Sequence, residues 1–189
     1  MALTLVTPPS IEPVTVAEAK TNSRITGSDD DTYIGLLIEA AKDHVENYTK
    51  RSLITQTWDW TIDGGLRNVS IPKAPLQSIT SIKYIDNTGS ESTLSTSIYK
   101  VDASSESGRI VLAYDQSWPT ARHEINNVTI RLVCGYGDAA TDIPEAVRFA
   151  ILWLVDHWYE HRSSVSEITL TETPISLTNV LWPYRVDFF

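Results

Sequence analysis

Seven consecutive residues, Phe149 to Val155 (FAILWLV), are apolar around every side of the helix that contains them. An amphipathic surface helix keeps one polar face, whereas a helix apolar all round must be covered on most sides. The surrounding pattern predicts that helix over Pro144–His161, with Thr141 or Asp142 near its cap and Pro144 in its first turn, where a missing N–H costs nothing. Any fold for this chain has to supply neighbours for it. With limited helical sequence elsewhere, a second subunit is one source of them.

Two other helices are legible near the N-terminus. Thr15-Val-Ala-Glu18 reads as a capping box opening a helix from about Val16 to Ile25. Gly27 then breaks the chain, Ser28 is the N-cap candidate, and Asp29, Asp30 and Asp31 suit the positive end of a helix dipole. Ile34, Leu37, Ile38, Ala41, Val45 and Tyr48 form one apolar stripe, with Glu39, Lys42, Asp43 and Glu46 expected outside it. The aspartate run lacks the alternating ligands and distant glutamate of a calcium loop, so capping is the preferred reading.

From Ser52 to Val133 the texture changes to short β-branched and aromatic runs separated by turn residues. Strands are predicted near LITQTWDWTI, NVSI, ITSIKYID, SIYKVD, GRIVLAY and NVTIRLVC, with DNTGS as a hairpin connection. No helical pattern is available for crossovers between them, so the sheet should be mainly antiparallel. The fold class is therefore α+β, with a β region inserted between helical parts. The expected organisation is 1–51 helical, 52–134 β, 135–162 helical and 163–189 an extended C-terminal arm. Periodicity is lost after Arg162, and the last part, VLWPYRVDFF, concentrates residues that are costly to leave in water and suited to a partner's pocket.

A formal net charge of −9 argues against holding nucleic acid by phosphate neutralisation. The single cysteine, Cys134, excludes an internal disulfide framework and makes a reducing compartment the expected setting. MALTLVTPPSIEPVT does not read as a signal peptide, and no apolar run approaches the about 20 residues a membrane span needs. The expectation is a soluble, intracellular chain with no membrane partner.

Three catalytic or ligand-binding readings compete with these structural ones. His157 and His161 share a helix face, with Asp156 and Glu160 beside them, and could both reach a metal. The zincin pattern needs a glutamate directly after the first histidine, and that position is Trp158; His44 and His123 stand at no helpful spacing. A helix-end reading is preferred, with metal-dependent hydrolysis as an alternative. Cys134 with His123 as base has no local support, and a cysteine closing a strand is more often a small buried hydrophobe. The tryptophans Trp58, Trp60, Trp118, Trp153, Trp158 and Trp182 could line a carbohydrate cleft, although core or subunit-contact roles explain them better. Gly135–Asp138 (GYGD) and Asp63–Gly65 (DGG) read as turns, since neither opens a helix with a phosphate-binding Lys and Ser or Thr.

Taken in order, PVTVAEAKTNSRI, the Asp-rich start of YIGLLIEAAKDHVENYTKRSLITQTWDW, GYGDAATDIPEAVRFAILWLVDHWYEHR and the terminal VLWPYR resemble the head–tail connector, or adaptor, family of tailed bacteriophages. The resemblance spans nearly the whole chain and is weakest in the β region. It implies a helical connector core carrying an inserted β region, and a structural virion protein of the neck, made in the host cytoplasm, without catalysis or cofactor. It further implies a homo-oligomeric ring, dodecameric, beneath the portal, a channel through which genomic DNA passes without specific binding, and a docking surface for a stopper or tail-completion protein. A C-terminal portal-binding segment is carried onto Leu181, Trp182, Pro183, Tyr184 and Arg185, with Phe188 and Phe189 beyond it. Trp182 stands where a second leucine is typical of the family. Phe149, Trp153 and Trp158 are the candidates for the core or subunit-contact face of the long helix. Another neck component, a stopper or tail-completion protein, is the alternative within the same class.

Overall fold

The computed structural model describes residues 2–65, 67–161 and 175–186. The chain divides into two compact units. One holds residues 10–54 and 137–185 and is helical; the other holds residues 1–9, 55–136 and 186–189 and is built of strands. The first strand thus joins the β unit rather than the helical part expected over residues 1–51.

In the helical unit, α1 (Val16–Asn22) begins with the anticipated capping box. The Thr15 hydroxyl accepts from the Glu18 amide at 3.1 Å, and the Glu18 carboxylate accepts from the Thr15 amide at 2.7 Å. The helix stops three residues earlier than expected. Arg24 adopts φ 55°, the Ile25 amide reaches back to the Lys20 carbonyl at 2.9 Å, and the Arg24 amide to that of Thr21 at 3.4 Å. This is a Schellman closure made with arginine where glycine is usual, so composition gave no stop signal.

Helix α2 (Asp31–Thr49) is capped at Asp30, not Ser28, and no side chain closes the cap. The aspartates serve to join helices instead. Asp31 pairs with Lys20 of α1 at 2.6 Å, and Asp30 accepts from the Tyr159 hydroxyl at 2.6 Å. Ile34, Ile38, Ala41 and Val45 are buried as expected, but so are Lys42 and Glu46, which the stripe had placed outside. Both are satisfied, because a buried charge without a partner is costly. Lys42 meets Glu12 at 3.0 Å, and Glu46 accepts the Leu53 amide at 2.8 Å.

Helix α3 (Glu145–Glu160) packs against α1, α2 and the short α4 (Ile175–Leu181). Val147, Ala150, Ile151, Leu154 and Val155 are buried. Arg148 clamps its first turns to the α1 entrance, donating to the Pro13 carbonyl at 3.1 Å and to the Glu18 carboxylate. Before it, Gly137 lies so close to Asp142 that an added Cβ would come within 2.1 Å of the carboxylate, which itself accepts the Ala139 amide at 3.0 Å. The GYGD turn is a close approach of backbone and carboxylate that feeds α3.

The extended arm expected over residues 163–189 is contradicted in its described part. Residues 175–181 are helical, and Trp182–Tyr184 continue as a 3-10 turn. Leu177 and Leu181, one helical turn apart, are both buried. Ser, Thr, Asn and Val are indifferent helix formers, so packing of those two leucines, not propensity, selects the helix.

The β unit has a five-stranded sheet in the order β1 (Ala2–Thr7), β2 (Gln56–Ile62), β8 (Val128–Cys134), β4 (Leu76–Ile85), β5 (Glu91–Thr93), and a three-stranded sheet β3 (Val69–Ser70), β7 (Arg109–Leu112), β6 (Tyr99–Asp102). Every strand pairing is antiparallel, as expected. Trp60, Ile62, Ile82, Val128, Ile130 and Leu132 point into a core shared with Ile71, Tyr99 and Ile110. Alternate positions face the other way, where Asp59 and Arg131, directly opposite across the ladder, make a two-pronged ion pair at 2.8 Å. The Asp86–Ser90 hairpin closes as predicted, with Asp86 accepting the Thr88 and Ser90 amides at 2.8 and 3.0 Å. Strands β1 and β5 were not anticipated. Among the described residues no helix is long and apolar enough to cross a membrane.

Two stability outcomes follow. Truncating the fully buried Ile151 to alanine should cost about 2–5 kcal/mol in urea unfolding of the helical unit, whereas Phe149→Ala, at a site 53 % exposed, should stay within about 0.5 kcal/mol. The Thr15 amide, followed by the Thr15 hydroxyl and Arg148, holds the Glu18 carboxyl below its ordinary value of 4.5, against a smaller opposing effect of burial. A depressed carboxyl stabilises the fold above the unfolded value, and that contribution is lost as pH falls through the folded one. Glu18→Gln should therefore destabilise the protein at pH 7 and make less difference at pH 3, read by paired melting curves.

Candidate functional site

The C-terminal segment is seated on α2 and α3. Leu177 lies beside Trp153, Leu154 and His157 of α3. A cleft of about 90 Å³ on the other side is lined by His44, Tyr48, Leu177, Thr178 and Leu181. The following turn is held from the end of α2: Lys50 takes the left-handed conformation, φ 61°, and the next residue, Arg51, donates its Nε–H to the Tyr184 carbonyl at 2.5 Å. Arg185 lies over the rings of Tyr48 and Trp182, at 5.9 and 5.6 Å from their centres. Such cation–π contacts contribute about 0.5–1 kcal/mol each at exposed positions.

The expected portal-binding residues therefore differ in exposure. Leu181 is buried within its own chain, Tyr184 is half-buried, and Pro183 and Arg185 are exposed. Trp182 is 60 % exposed although Leu181 before it is buried and the Tyr184 carbonyl two residues on is held by Arg51. Phe188 and Phe189 lie outside the described residues.

On α3, Phe149 is exposed and Trp153 half-buried, and their rings are 6.1 Å apart, one helical turn along the same edge. Trp158 is also half-buried and lies edge-on to His44 of α2 at 6.2 Å. Of the three named aromatics only Phe149 is exposed; Trp153 and Trp158 are both half-buried, the first beside Leu177 and the second against His44.

The chemical alternatives find little geometric support. The His157 and His161 rings are 4.6 Å apart, but His161 Nδ1 is 2.9 Å from the His157 carbonyl, a local helix-end contact. Among the described residues no group of three or more His, Cys, Asp or Glu is placed to hold a metal ion. Cys134 is buried in the β unit, and burial pushes its thiol up to about 12, the opposite of what a nucleophile needs. His123 sits beside Gly64, beyond the far end of β2 from the Gln56–Cys134 pairing, which at strand rise is roughly 20 Å away. Trp60 is buried, and Trp58 and Trp118 are packed against the same core, so they form no open aromatic platform.

A family model described as "Head completion protein" matches residues 12–185. The chain belongs to the head completion protein family. No curated protein matches it. In fold it is similar to a chain from the neck of an empty gene transfer agent (GTA) particle with C6 symmetry, at TM-score 0.81 and 21 % identity over 100 % of this chain and 97 % of that one. A chain from the virion of the native particle matches with the same values. A chain from the native neck with C12 symmetry gives 0.73 and 18 %, again over 100 % and 97 %. These likenesses extend through the β region, where the sequence resemblance was weakest.

Signal for the missed features was thin. Arg51 and Lys50 carry no motif, and the seat of α4 depends on two leucines inside a polar run. The thiol of this head completion protein should remain unmodified by an aromatic disulfide reagent at pH 8 until denaturant is added, and should then react fully. Rapid labelling of the native protein would restore Cys134 as a candidate nucleophile.

Proposed function

We propose that this head completion protein is a structural component of the virion neck, a connector that assembles as a ring under the portal and offers its far side to a stopper or tail-completion protein. The single observation that carries the reading is family membership extending from residue 12 to residue 185, through the C-terminal motif. The likeness to chains in GTA necks with C6 and C12 symmetry supports a cyclic assembly, for which a dodecamer is the proposed size. The role is mechanical and involves no catalysis.

A closed ring needs two different surfaces per subunit that fit each other. The Phe149–Trp153 edge is one candidate, because large aromatic groups half out of water gain most by being covered. For the portal, Trp182 is the anchor. Its backbone is already held by Leu181 and by the Arg51–Tyr184 bond, so little conformational entropy remains to be lost when the indole docks. Repetition around a ring multiplies a modest single contact, favouring attachment to an assembled portal over a free subunit. DNA would pass such a ring without adhering, consistent with the net charge of −9.

Because Leu181 is part of the subunit core, a point change tests the anchor better than a deletion. Trp182→Ala should keep the melting temperature yet weaken co-sedimentation with portal rings at least tenfold, while the His157→Ala, His161→Ala double variant should attach normally. Full attachment by the tryptophan variant would remove the proposed anchor. Binding only to preformed connector rings would make the chain a stopper instead.

A further inference from the structure

A concavity of about 660 Å³ lies against the outer side of α1, lined among others by Val16, Ala17, Lys20, Arg24, Ile25 and Asp31. The fold holds its walls in place. Arg24 at φ 55° turns the chain back, and the Ile25 amide donates to the Lys20 carbonyl at 2.9 Å, so Ile25 stands beside the last turn of α1. Lys20 ties the following loop to α2 by donating to the Gly27 carbonyl and, at 2.6 Å, to Asp31. Ala17, Thr21 and Arg24 are exposed, and Val16 and Ile25 are half-buried. The site is therefore an open groove with apolar lining, which gives a small ligand little cover but suits a convex ridge. The Lys20–Asp31 pair is neutral, and Arg24 makes no ion pair among the described residues, so the groove is positive on a chain whose net charge is −9.

The outer edge of α3 is its complement. Phe149 is 53 % exposed there, with the ring of half-buried Trp153 6.1 Å away. Glu145, Asp156 and Glu160 fall on the same face of the helix as Phe149, and none of the three makes an ion pair among the described residues. An aromatic ridge bordered by carboxylates thus matches an apolar groove bordered by a guanidinium. The two surfaces are separate on one subunit. Glu18 and Asn22 mark the side of α1 that meets α3, through Arg148 and the Leu152 carbonyl, and no α3 residue is among those lining the groove. A contact that joins edge to groove is therefore heterologous and has to pass from one copy to the next.

We propose that the α3 edge of one copy docks in the α1 groove of a second copy, with Phe149 seated against Val16, Ala17 and Ile25 and a carboxylate of the edge paired with Arg24. Phe149 supplies the apolar anchor, and the charges fix the partner and its orientation. Because the hook at Arg24 and the Lys20 tie already hold the groove, little ordering is left for assembly. This joint rests on the ring reading above and gives it a second surface to set against the Phe149–Trp153 edge.

The test uses full chains with the cognate portal, and native mass spectrometry of the wild type first establishes whether a ring forms. Chains carrying Thr21→Cys, in the groove, are then mixed in equal amount with chains carrying Glu145→Cys or Asp156→Cys, on either side of Phe149. The assembled mixture is treated with a short bis-maleimide; buried Cys134 does not compete. The two cysteines sit in different chains, so any link between them crosses a joint. Mixed dimers should form with at least one of the two edge variants, and none when a single variant is treated alone. Phe149→Ala and Arg24→Glu should each lower ring yield at least tenfold without changing the circular dichroism of the subunit, and Asp156→Arg or Glu145→Arg should recover the loss caused by Arg24→Glu. Normal rings that give no mixed dimer with either edge variant would overturn the groove-and-edge joint and leave the ring intact. Absence of wild-type rings would overturn both.

Discussion

Burial of α3 is the constraint on which the helical unit depends. Ile151, Leu154 and Val155 are apolar surface that α1, α2 and α4 must cover together. The polar contacts are placed around that requirement. Arg148 ties the start of α3 to Pro13 and Glu18, Tyr159 ties its end to Asp30, and Lys20 joins α1 to α2 through Asp31. Individually such partly exposed pairs contribute little, commonly under about 1 kcal/mol. Their value is orientation, since each fixes one helix end against another.

The same burial bears on the role proposed for the C-terminal segment. Leu177 and Leu181 complete the cover of α2 and α3, which holds the following turn on the subunit. Trp182 then projects from an ordered base rather than from a free arm. In the proposed docking, the cost of ordering is met when the subunit folds and not again on binding. Phe149, exposed, and Trp153, half-buried beside it, are part of α3 that its own unit leaves incompletely covered.

Much of this was legible in the sequence where a local signal coincides with the physical cause. The capping box at Thr15–Glu18, the stripe Ile34–Val45, the DNTGS hairpin and the central strands each announce themselves through a spacing or a turn residue. The failures share a different origin. Lys42 and Glu46 are buried because Glu12 and Leu53, remote in sequence, satisfy them. Helix α4 owes its form to tertiary contact, against its propensity. The Schellman turn uses arginine, and β1 exists because β2 is beside it. Of the proposed site, Trp182 could be named as a candidate from its chemistry, but the division between buried Leu181 and exposed Trp182 could not. Resemblance in the order of motifs pointed to the family even so, because order survives where single positions do not.

The central claim is that the chain forms a ring on the portal, and native mass spectrometry of the purified chain with its cognate portal tests it most directly. The account predicts a discrete complex in which the number of added chains equals that of a closed ring, twelve being the proposed value, with no ladder of partial occupancies at saturation. A chain that stays monomeric in the presence of portal, or binds it in a single copy, would contradict it.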